Sequence, residues 1–331
     1  MALGKSDASA SSNELDQPST LAEGQAFILD VLIPHYRDPE GLKQSLASVA
    51  GQTWRGRLRV VVVDDGSPPK EFAQVRAHCE AFQATSGFAL TLLRNEVNLG
   101  RPRTRNRLLD AVEASHVAWL DAEDIWYPDK LKIQFDHLAR LDYEGYDLDT
   151  IWVTCSYDWS SNGQTRRRSQ ETRGDQLQAL LIGDDLRAYL WTLLGTAQSF
   201  QIAGRFDERL PRMQDLDYFV TFSRGGGQIT SPPKAPALCC YFKSDVSRSA
   251  ADVRDCYKLI LAKNAPALHR YPAGLTSLLH YKANRLGARF AFANGQRWKA
   301  MTYSLQAVLG SPRHMARVLR NHLPVRLGRQ A

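Results

Sequence analysis

The sequence predicts an α/β fold: a doubly wound, mostly parallel sheet flanked by helices, followed by an all-helical C-terminal extension. Three observations predict it. Apolar, β-branched runs of strand length occur between residues 27 and 121, and such runs are typical of parallel strands buried on both faces. Segments of helical periodicity separate these runs, which indicates strand, helix, strand units. From about residue 251 the chain shows helical spacing throughout.

The elements of the first half follow one another in a regular order. The first strand, FILDVLIPHY (27–36), leads into DPEGLKQSLASVAGQ (38–52), whose apolar residues recur at helical spacing. The remaining predicted elements are strand 58–67, strand 88–95, helix 103–114 and strand 116–121. Because the strands are parallel, we expect ligands to bind beyond their carboxyl ends.

The second half is less regular. The segment TIWVTCSYDWSSNGQTRRRSQ (150–170) predicts two strands about a turn at Asn162 and Gly163. Residues 1–25 are polar and lack periodicity, which is typical of a disordered segment. We therefore predict three parts, namely a disordered N-terminal tail (1–25), an α/β domain (26–250) and a basic helical extension (251–331).

Composition and charge narrow the classes of protein that fit. No apolar run reaches the length of a membrane span, and the first residues lack the apolar core of a secretory signal, so an intracellular protein is expected. The five cysteines show no CxxC spacing, which predicts reduced, mostly buried thiols rather than a disulfide framework or a zinc site. The net charge is +7, yet thirteen Lys and Arg residues and no Asp or Glu follow Asp255. The chain thus combines an acidic body with a basic tail, which suits an anionic surface or ligand.

Acidic clusters follow two of the predicted strands. Asp64 and Asp65 end the second strand, and Asp121, the first carboxylate of the stretch WLDAEDIWYPDKL (119–131), ends another. Taken singly, the first cluster could be a strand-ending turn with an Asx cap, and the second a solvated loop that caps the following helix. Together, two acidic pairs at one edge of a parallel sheet suit a hard divalent cation that also contacts a substrate phosphate.

Five motifs in order carry a resemblance to a known family. They are VLIPHY, VVVDDGS, NLGRPRTRN, WLDAEDIWYPDKL and GRFDERLPRMQDLDYF, and they lie between residues 27 and 250. In this order they resemble the family 2 glycosyltransferases, which have a GT-A fold. The resemblance implies an inverting enzyme that transfers a sugar from a nucleotide diphosphate donor to an acceptor hydroxyl, with residues 26–250 as the catalytic domain.

The resemblance also implies roles for particular residues. The donor base and ribose would be bordered by residues of the first two motifs, namely Pro34, His35, Tyr36, Asp64 and Asp65. Arg105, in the third motif, would contact the base or the diphosphate. In the DxDD-like motif, which is Asp121, Ala122, Glu123 and Asp124 here, Asp121 and Ala122 would contact the nucleotide sugar. The cofactor would be a divalent metal (Mn²⁺ or Mg²⁺) bound by Asp121 and Glu123, either of which could be the direct ligand. After the last core strand, the residues that could fold over the diphosphate are Lys243, Ser247, Arg248 and Ser249.

The fifth motif would supply the general base. The family places this base in an ED pair at a helix start, and here Gln214 occupies the Glu position and Asp215 the base position. A carboxylate there can take the proton of the acceptor hydroxyl, and attack from the opposite face of the sugar inverts the anomeric centre. Asp217 is the rival base, and a purely structural helix cap is the alternative role of Asp215.

Other functions stay open at this stage. A nucleotidyltransferase also reads a nucleotide on a doubly wound sheet, although IPHYRDPEG is not a phosphate-binding loop of the expected kind. Glu123 and Gln214 leave room for a degenerate nucleotide-sugar-binding or scaffolding protein.

The expected partners are a nucleotide sugar and a saccharide or lipid-linked acceptor, with no nucleic acid. By analogy with the family, a UDP-sugar is the commonest donor. A last amphipathic helix is predicted in SPRHMARVLRNHLP (311–324). Its apolar face could pack on the body or rest on an anionic membrane, so we expect a cytoplasmic protein that is peripheral at the inner face of the membrane in the second case.

Overall fold

The computed structural model describes residues 28–161, 163–242, 249–312 and 314. Its strands are β1 (Leu29–His35), β2 (Leu58–Asp64), β3 (Ala89–Arg94), β4 (His116–Trp119), β5 (Ile125–Trp126), β6 (Ile151–Val153), β7 (Tyr157–Ser161), β8 (Gln164–Arg168), β9 (Leu194–Thr196), β10 (Gln228–Thr230) and β11 (Cys239–Phe242). Its α-helices are α1 (Pro39–Ala50), α2 (Pro69–Ser86), α3 (Arg101–Asp110), α4 (Lys130–Tyr143), α5 (Gln176–Ile182), α6 (Ala197–Ala203), α7 (Gln214–Arg224), α8 (Ala250–Lys263), α9 (Ala265–Leu268), α10 (Ala273–Ala293) and α11 (Arg297–Gly310).

The strands form two sheets. The central sheet has the order β10, β6, β9, β4, β1, β2, β3, and a smaller sheet has the order β5, β11, β7, β8. In the central sheet β1 pairs in parallel with both β2 and β4, whereas β9 runs antiparallel between β4 and β6. The predicted α/β fold with a mostly parallel sheet is therefore confirmed.

Most of the predicted elements are present. The strands predicted up to residue 121 correspond to β1 to β4, and the predicted hairpin about Gly163 corresponds to the antiparallel pair β7 and β8. Helix α2, between β2 and β3, is an element that the sequence prediction did not assign. The last predicted helix lies almost wholly outside the described residues.

The central sheet is buried on both faces. In β1, Val31 and Ile33 pack into one apolar layer with α1 and α2, while Leu32 faces a second layer. This alternation follows from the two-residue period of a strand. Helix α8 contributes Tyr257 and Ile260 to the second layer. The first helix of the extension thus shares a core with the sheet, and the proposed division at residue 250 stays a prediction.

Two further expectations concern thiols and membrane spans. All five cysteines are free and buried, as predicted, and the sulfur atoms of Cys155 and Cys239 lie 3.5 Å apart. Among the helices of the described ranges, none has both the length and the apolar character that crossing a bilayer requires.

Candidate active site

The carboxyl ends of β1, β2 and β4 meet at one edge of the central sheet. His35 is in register with Asp64 across β1 and β2. Leu32 of β1 is in register with Trp119, and its carbonyl accepts the N–H of Leu120, so Asp121 follows at the same edge. This edge is where ligands of doubly wound sheets bind.

His35 and Asp64 form a buried pair. His35 Nδ1 lies 2.8 Å from Asp64 Oδ2, and His35 Nε2 accepts the backbone N–H of Asp38 at 3.1 Å. Because Nε2 accepts, Nδ1 carries the proton and donates it to the carboxylate. Burial raises the pKa of Asp64, but hydrogen bonds from His35 and Ser67 outweigh that effect and leave the pKa below its ordinary value. Asp64 is therefore ionised and held in place by the protein.

Asp65 anchors the loop between β3 and α3. Its Oδ1 accepts the Asn95 side-chain amide at 2.8 Å and the Leu99 N–H at 2.9 Å, and its Oδ2 accepts the Gly100 N–H at 2.9 Å. The neighbouring Gly66 has a φ of +73°, and a Cβ there would lie 2.3 Å from the Val97 carbonyl carbon. The DDG turn thus fits closely against this loop, and a side chain at position 66 would displace it.

Arg105 contacts one carboxylate after β4 and another at the start of α7. Its side chain is 2% exposed, and the guanidinium donates to Asp121 Oδ1 at 3.0 Å through Nη2, while Nη1 contacts Asp215. Asp121 follows β4, and Asp215 lies in the first turn of α7. Three residues that the resemblance singled out in separate motifs therefore meet at one point. The Asp121 and Asp215 side chains are 28% and 24% exposed, so ligands can reach both carboxylates.

The environment of Asp215 suits a proton acceptor. Burial raises its pKa above the ordinary value, with a smaller contribution from Asp121, and Arg105 acts in the opposite direction. A carboxyl with a raised pKa is a stronger base once it is ionised, and a cation beside it favours that ionised form. Its position in the first turn of a helix adds a favourable dipole for negative charge.

Helix α1 holds the DAED motif (121–124) in shape. The Ser45 hydroxyl accepts the Glu123 N–H at 3.1 Å and donates to the Asp124 carbonyl at 2.8 Å. Glu123 has a φ of +111°, a backbone conformation that side-chain-bearing residues rarely adopt and that often marks functional turns. Asp124 is 1% exposed, and burial, followed by the charges of Asp121 and Glu123, raises its pKa well above normal. A simple solvated loop would not bury a carboxyl in this way.

A metal ion at this site would need ligands beyond the protein. Among the described residues, no group of three or more His, Cys, Asp and Glu side chains is arranged to hold one. Magnesium-like ions are commonly held by one or two carboxylates together with substrate phosphates and water. The partly exposed carboxylate of Asp121 and the adjacent Glu123 fit that donor set.

Asp217 faces away from this centre. Its Oδ2 lies 2.6 Å from Lys263 Nζ of α8, and the same ammonium lies 2.8 Å from Asp207 Oδ2. Asp215 and Asp217 thus point to different partners, as positions two apart on a helix must. Asp217 belongs to the contact between α7 and α8, a role that no local pattern in the sequence indicated.

The remaining predicted residues have varied placements. Pro34 lies within β1, Tyr36 is 41% exposed just beyond it, and Ala122 is half-buried in the DAED motif. Ser249, predicted to fold over the diphosphate, accepts the N–H of Asp252 and caps α8. Lys243, Ser247 and Arg248 lie outside the described residues.

Asn106 has a role that the motif alone did not define. Its side chain donates to the Phe206 carbonyl at 3.1 Å and accepts the Phe206 N–H at 2.8 Å. These two bonds join α3 to the GRFDE turn (204–208) that leads towards Asp215. The third and fifth motifs are therefore linked by hydrogen bonds between the Asn106 side chain and the Phe206 main chain, as well as by Arg105.

Comparison with known proteins agrees with this geometry. Residues 30–191, just under half of the chain, match Glycosyl transferase family 2, the family that the motifs predicted. The chain is 23% identical over 212 residues to an uncharacterized glycosyltransferase of Methanocaldococcus jannaschii, an alignment covering 62% of this chain and 65% of that protein. It is 31% identical over 204 residues to the amylovoran biosynthesis glycosyltransferase AmsB of Erwinia amylovora, covering 59% of this chain and 64% of AmsB. The matched part thus spans just under two thirds of these relatives.

Solved structures share the fold. Residues 1–349 of TarS from S. aureus, a protein also solved with UDP-GlcNAc, superpose with a TM-score of 0.57 at 17% identity, covering 88% of this chain and 83% of that one. The mannosyltransferase PcManGT from Pyrobaculum calidifontis, solved with GDP-Man and Mn²⁺, superposes with a TM-score of 0.51 at 18% identity, covering 90% and 83%. These likenesses confirm the GT-A type fold.

Proposed function

We propose that this protein is a glycosyltransferase that moves a sugar from a nucleotide diphosphate donor to an acceptor hydroxyl with inversion. The convergence of Asp121, Arg105 and Asp215 carries the proposal. It joins a carboxylate suited to a donor-bound cation and a carboxylate suited to a proton acceptor at the carboxyl edge of a parallel sheet. The family match of residues 30–191 supports the same reaction class.

Asp215 and Asp121 have different proposed roles. Asp215 accepts the proton of the acceptor hydroxyl, and the oxygen then attacks the anomeric carbon from the face opposite the diphosphate, which inverts the centre. Asp121 and Glu123 would hold a divalent ion, Mn²⁺ or Mg²⁺. When bound, that ion supplies positive charge to the leaving diphosphate. Arg105 contacts both carboxylates and so holds Asp121 close to Asp215.

The donor pocket is built on rigid elements. His35 and Asp64 are buried at the ends of β1 and β2, and Tyr36 extends beyond them. Asp65 holds the neighbouring loop in place. We propose that these residues bind the base and ribose of a UDP-sugar, by analogy with relatives that bind nucleotide sugars. We also propose that Lys243 contacts the diphosphate. The proposed acceptor is a saccharide or lipid-linked saccharide, as in polysaccharide biosynthesis in the cytoplasm.

A product assay tests the reaction class. The purified full-length chain is incubated with a panel of nucleotide sugars, with Mn²⁺, with Mg²⁺ or with EDTA, and the released phosphates are identified. We expect a nucleoside diphosphate to be released, with loss of release in EDTA. Pyrophosphate instead would indicate a nucleotidyltransferase. Nucleotide binding without any turnover, even with a range of saccharide acceptors, would indicate a degenerate binding protein.

A further inference from the structure

Helix α11 exposes an apolar stripe. The stripe consists of four large side chains that are 80%, 62%, 59% and 69% exposed, namely Trp298, Met301, Leu305 and Leu309. Their spacing of three, four and four residues places them on one face of the helix. We call this set the α11 stripe. Phe292, which is 73% exposed, lies near the end of α10 that leads into α11.

The stripe is not the face that docks α11 onto the protein. The opposite face carries Ala300 and Ala307, both buried, and Tyr303 packs with Ala300 against Ala291 of α10. Helix α11 is therefore already held by its small residues, and the large apolar residues lie on the other side. A contiguous exposed apolar surface of this kind marks an interaction site rather than ordinary surface variation.

The charged side chains of α10 and α11 are all basic. Neither α10 nor α11 contains an Asp or Glu. The exposed basic residues of these two helices are Arg285, Arg289, Arg297 and Lys299. Arg297 and Lys299 immediately flank Trp298 along the chain. The partner of this surface must accept apolar side chains and offer negative charge at the same time.

This combination argues against a second copy of the chain as the partner. In a two-fold interface each copy presents the same patch, so the basic residues of α10 and α11 would face one another without any carboxylate from these helices to compensate. An anionic lipid surface meets both demands, since acyl chains receive the apolar face and headgroups pair with the flanking basic residues. Tryptophan is enriched at that interface.

We propose that the α11 stripe lies on an anionic membrane surface and holds the protein peripherally there. The proposal concerns binding and does not depend on the transferase reaction. It places the membrane contact on α11, whereas the sequence alone pointed to residues 311–324, of which the structure describes 311, 312 and 314.

Vesicle co-sedimentation of the full-length chain tests the proposal. The variant Met301→Glu with Leu305→Glu places two charges within the stripe at positions that are already exposed. The matched control is Tyr143→Glu with Tyr146→Glu, which makes the same change of charge at two residues that are 91% and 49% exposed near the end of α4. Circular dichroism and thermal unfolding check that both variants fold.

We expect the unaltered chain to sediment with phosphatidylcholine vesicles that contain phosphatidylglycerol, and to bind less as salt is added. The stripe variant should bind at least about tenfold more weakly, because it inserts fewer apolar side chains and its new carboxylates are repelled by the anionic headgroups. The control should bind as the unaltered chain does. Failure of the unaltered chain to bind, equal losses in both variants, or indifference to lipid charge would overturn the proposal. So would a lipid-free dimer that the stripe variant dissociates, or a large fall in its melting temperature, because each would show that protein covers the stripe.

Discussion

Two sets of carboxylates lie at the same sheet edge and are used in different ways. At the end of β2, each carboxylate oxygen of Asp64 and Asp65 is paired with a side chain or backbone N–H of the protein. At the end of β4 and the start of α7, Asp121 and Asp215 share one guanidinium and stay about a quarter exposed. Asp64 and Asp65 thus stabilise the structure around the site, whereas Asp121 and Asp215 remain accessible to ligands. An aspartate at the end of a strand can therefore support the site or remain open to ligands, and its hydrogen-bond partners show which of the two it does.

The largest expected effect is on the proposed base. Asp215→Asn should lower turnover by about a hundredfold or more and leave donor affinity unchanged, because general-base catalysis contributes on that order. Steady-state kinetics with a donor-binding titration would measure both quantities. Asp217→Asn is the control, and we expect it to alter stability more than chemistry, since Asp217 pairs with Lys263. Full activity in Asp215→Asn together with loss in Asp217→Asn would exchange the two roles.

The next effect concerns divalent-dependent nucleotide binding. Asp121→Ala and Glu123→Ala should each weaken binding of a nucleoside diphosphate in Mn²⁺ by at least about tenfold, because each removes an oxygen ligand from the proposed cation site. Calorimetry with Mn²⁺ and with EDTA measures the difference. Asp129→Ala removes another carboxylate from the same stretch of sequence and should bind normally. Unchanged metal dependence in both variants would mean that the DAED motif holds no cation.

A smaller effect on stability is expected at Asp65. Asp65→Asn replaces one acceptor oxygen with a donor, so at least one of the Leu99 and Gly100 N–H groups or the Asn95 amide loses its partner. The free energy of unfolding should fall by roughly 1–3 kcal/mol, the cost of an unsatisfied buried group. Urea unfolding measures it, with the exposed Glu96→Gln as control. A change below the error of the control would show that the loop is held by other contacts.

The smallest effect is a pH dependence at Asp64. Its pKa is lowered in the folded protein, so the ionised form stabilises the fold at pH values above the unfolded pKa, and this contribution is lost as the pH falls through the folded pKa. Asp64→Asn should therefore cost about 1 kcal/mol at neutral pH, and the difference from the unaltered protein should shrink below about pH 4. Urea unfolding over a pH series tests the sign. A difference that grows in acid would contradict the depressed pKa.

The sequence predicted strands β1 to β4 of the sheet, and its motifs singled out three residues that meet there, but it did not predict the contacts that support them. Strands β1, β2 and β4 are apolar runs with clear ends, and the motif order singled out Arg105, Asp121 and Asp215. The antiparallel strand β9 was not predicted, because a three-residue strand inserted between β4 and β6 leaves no periodic signal. The contact of Asp217 with Lys263 joins positions 46 residues apart, and no local rule relates them.

The five buried cysteines can be used to measure local unfolding of the protein. Cys79 lies on α2, Cys155 lies between β6 and β7, Cys239 and Cys240 lie on β11, and Cys256 lies on α8. A thiol reagent can modify them only when the surrounding structure opens, so modification rates measure local unfolding without any introduced label. Mass spectrometry of each modified peptide would compare the opening of the C-terminal helices with that of the sheet. Earlier modification of Cys256 than of Cys155 would show that the extension opens before the catalytic core.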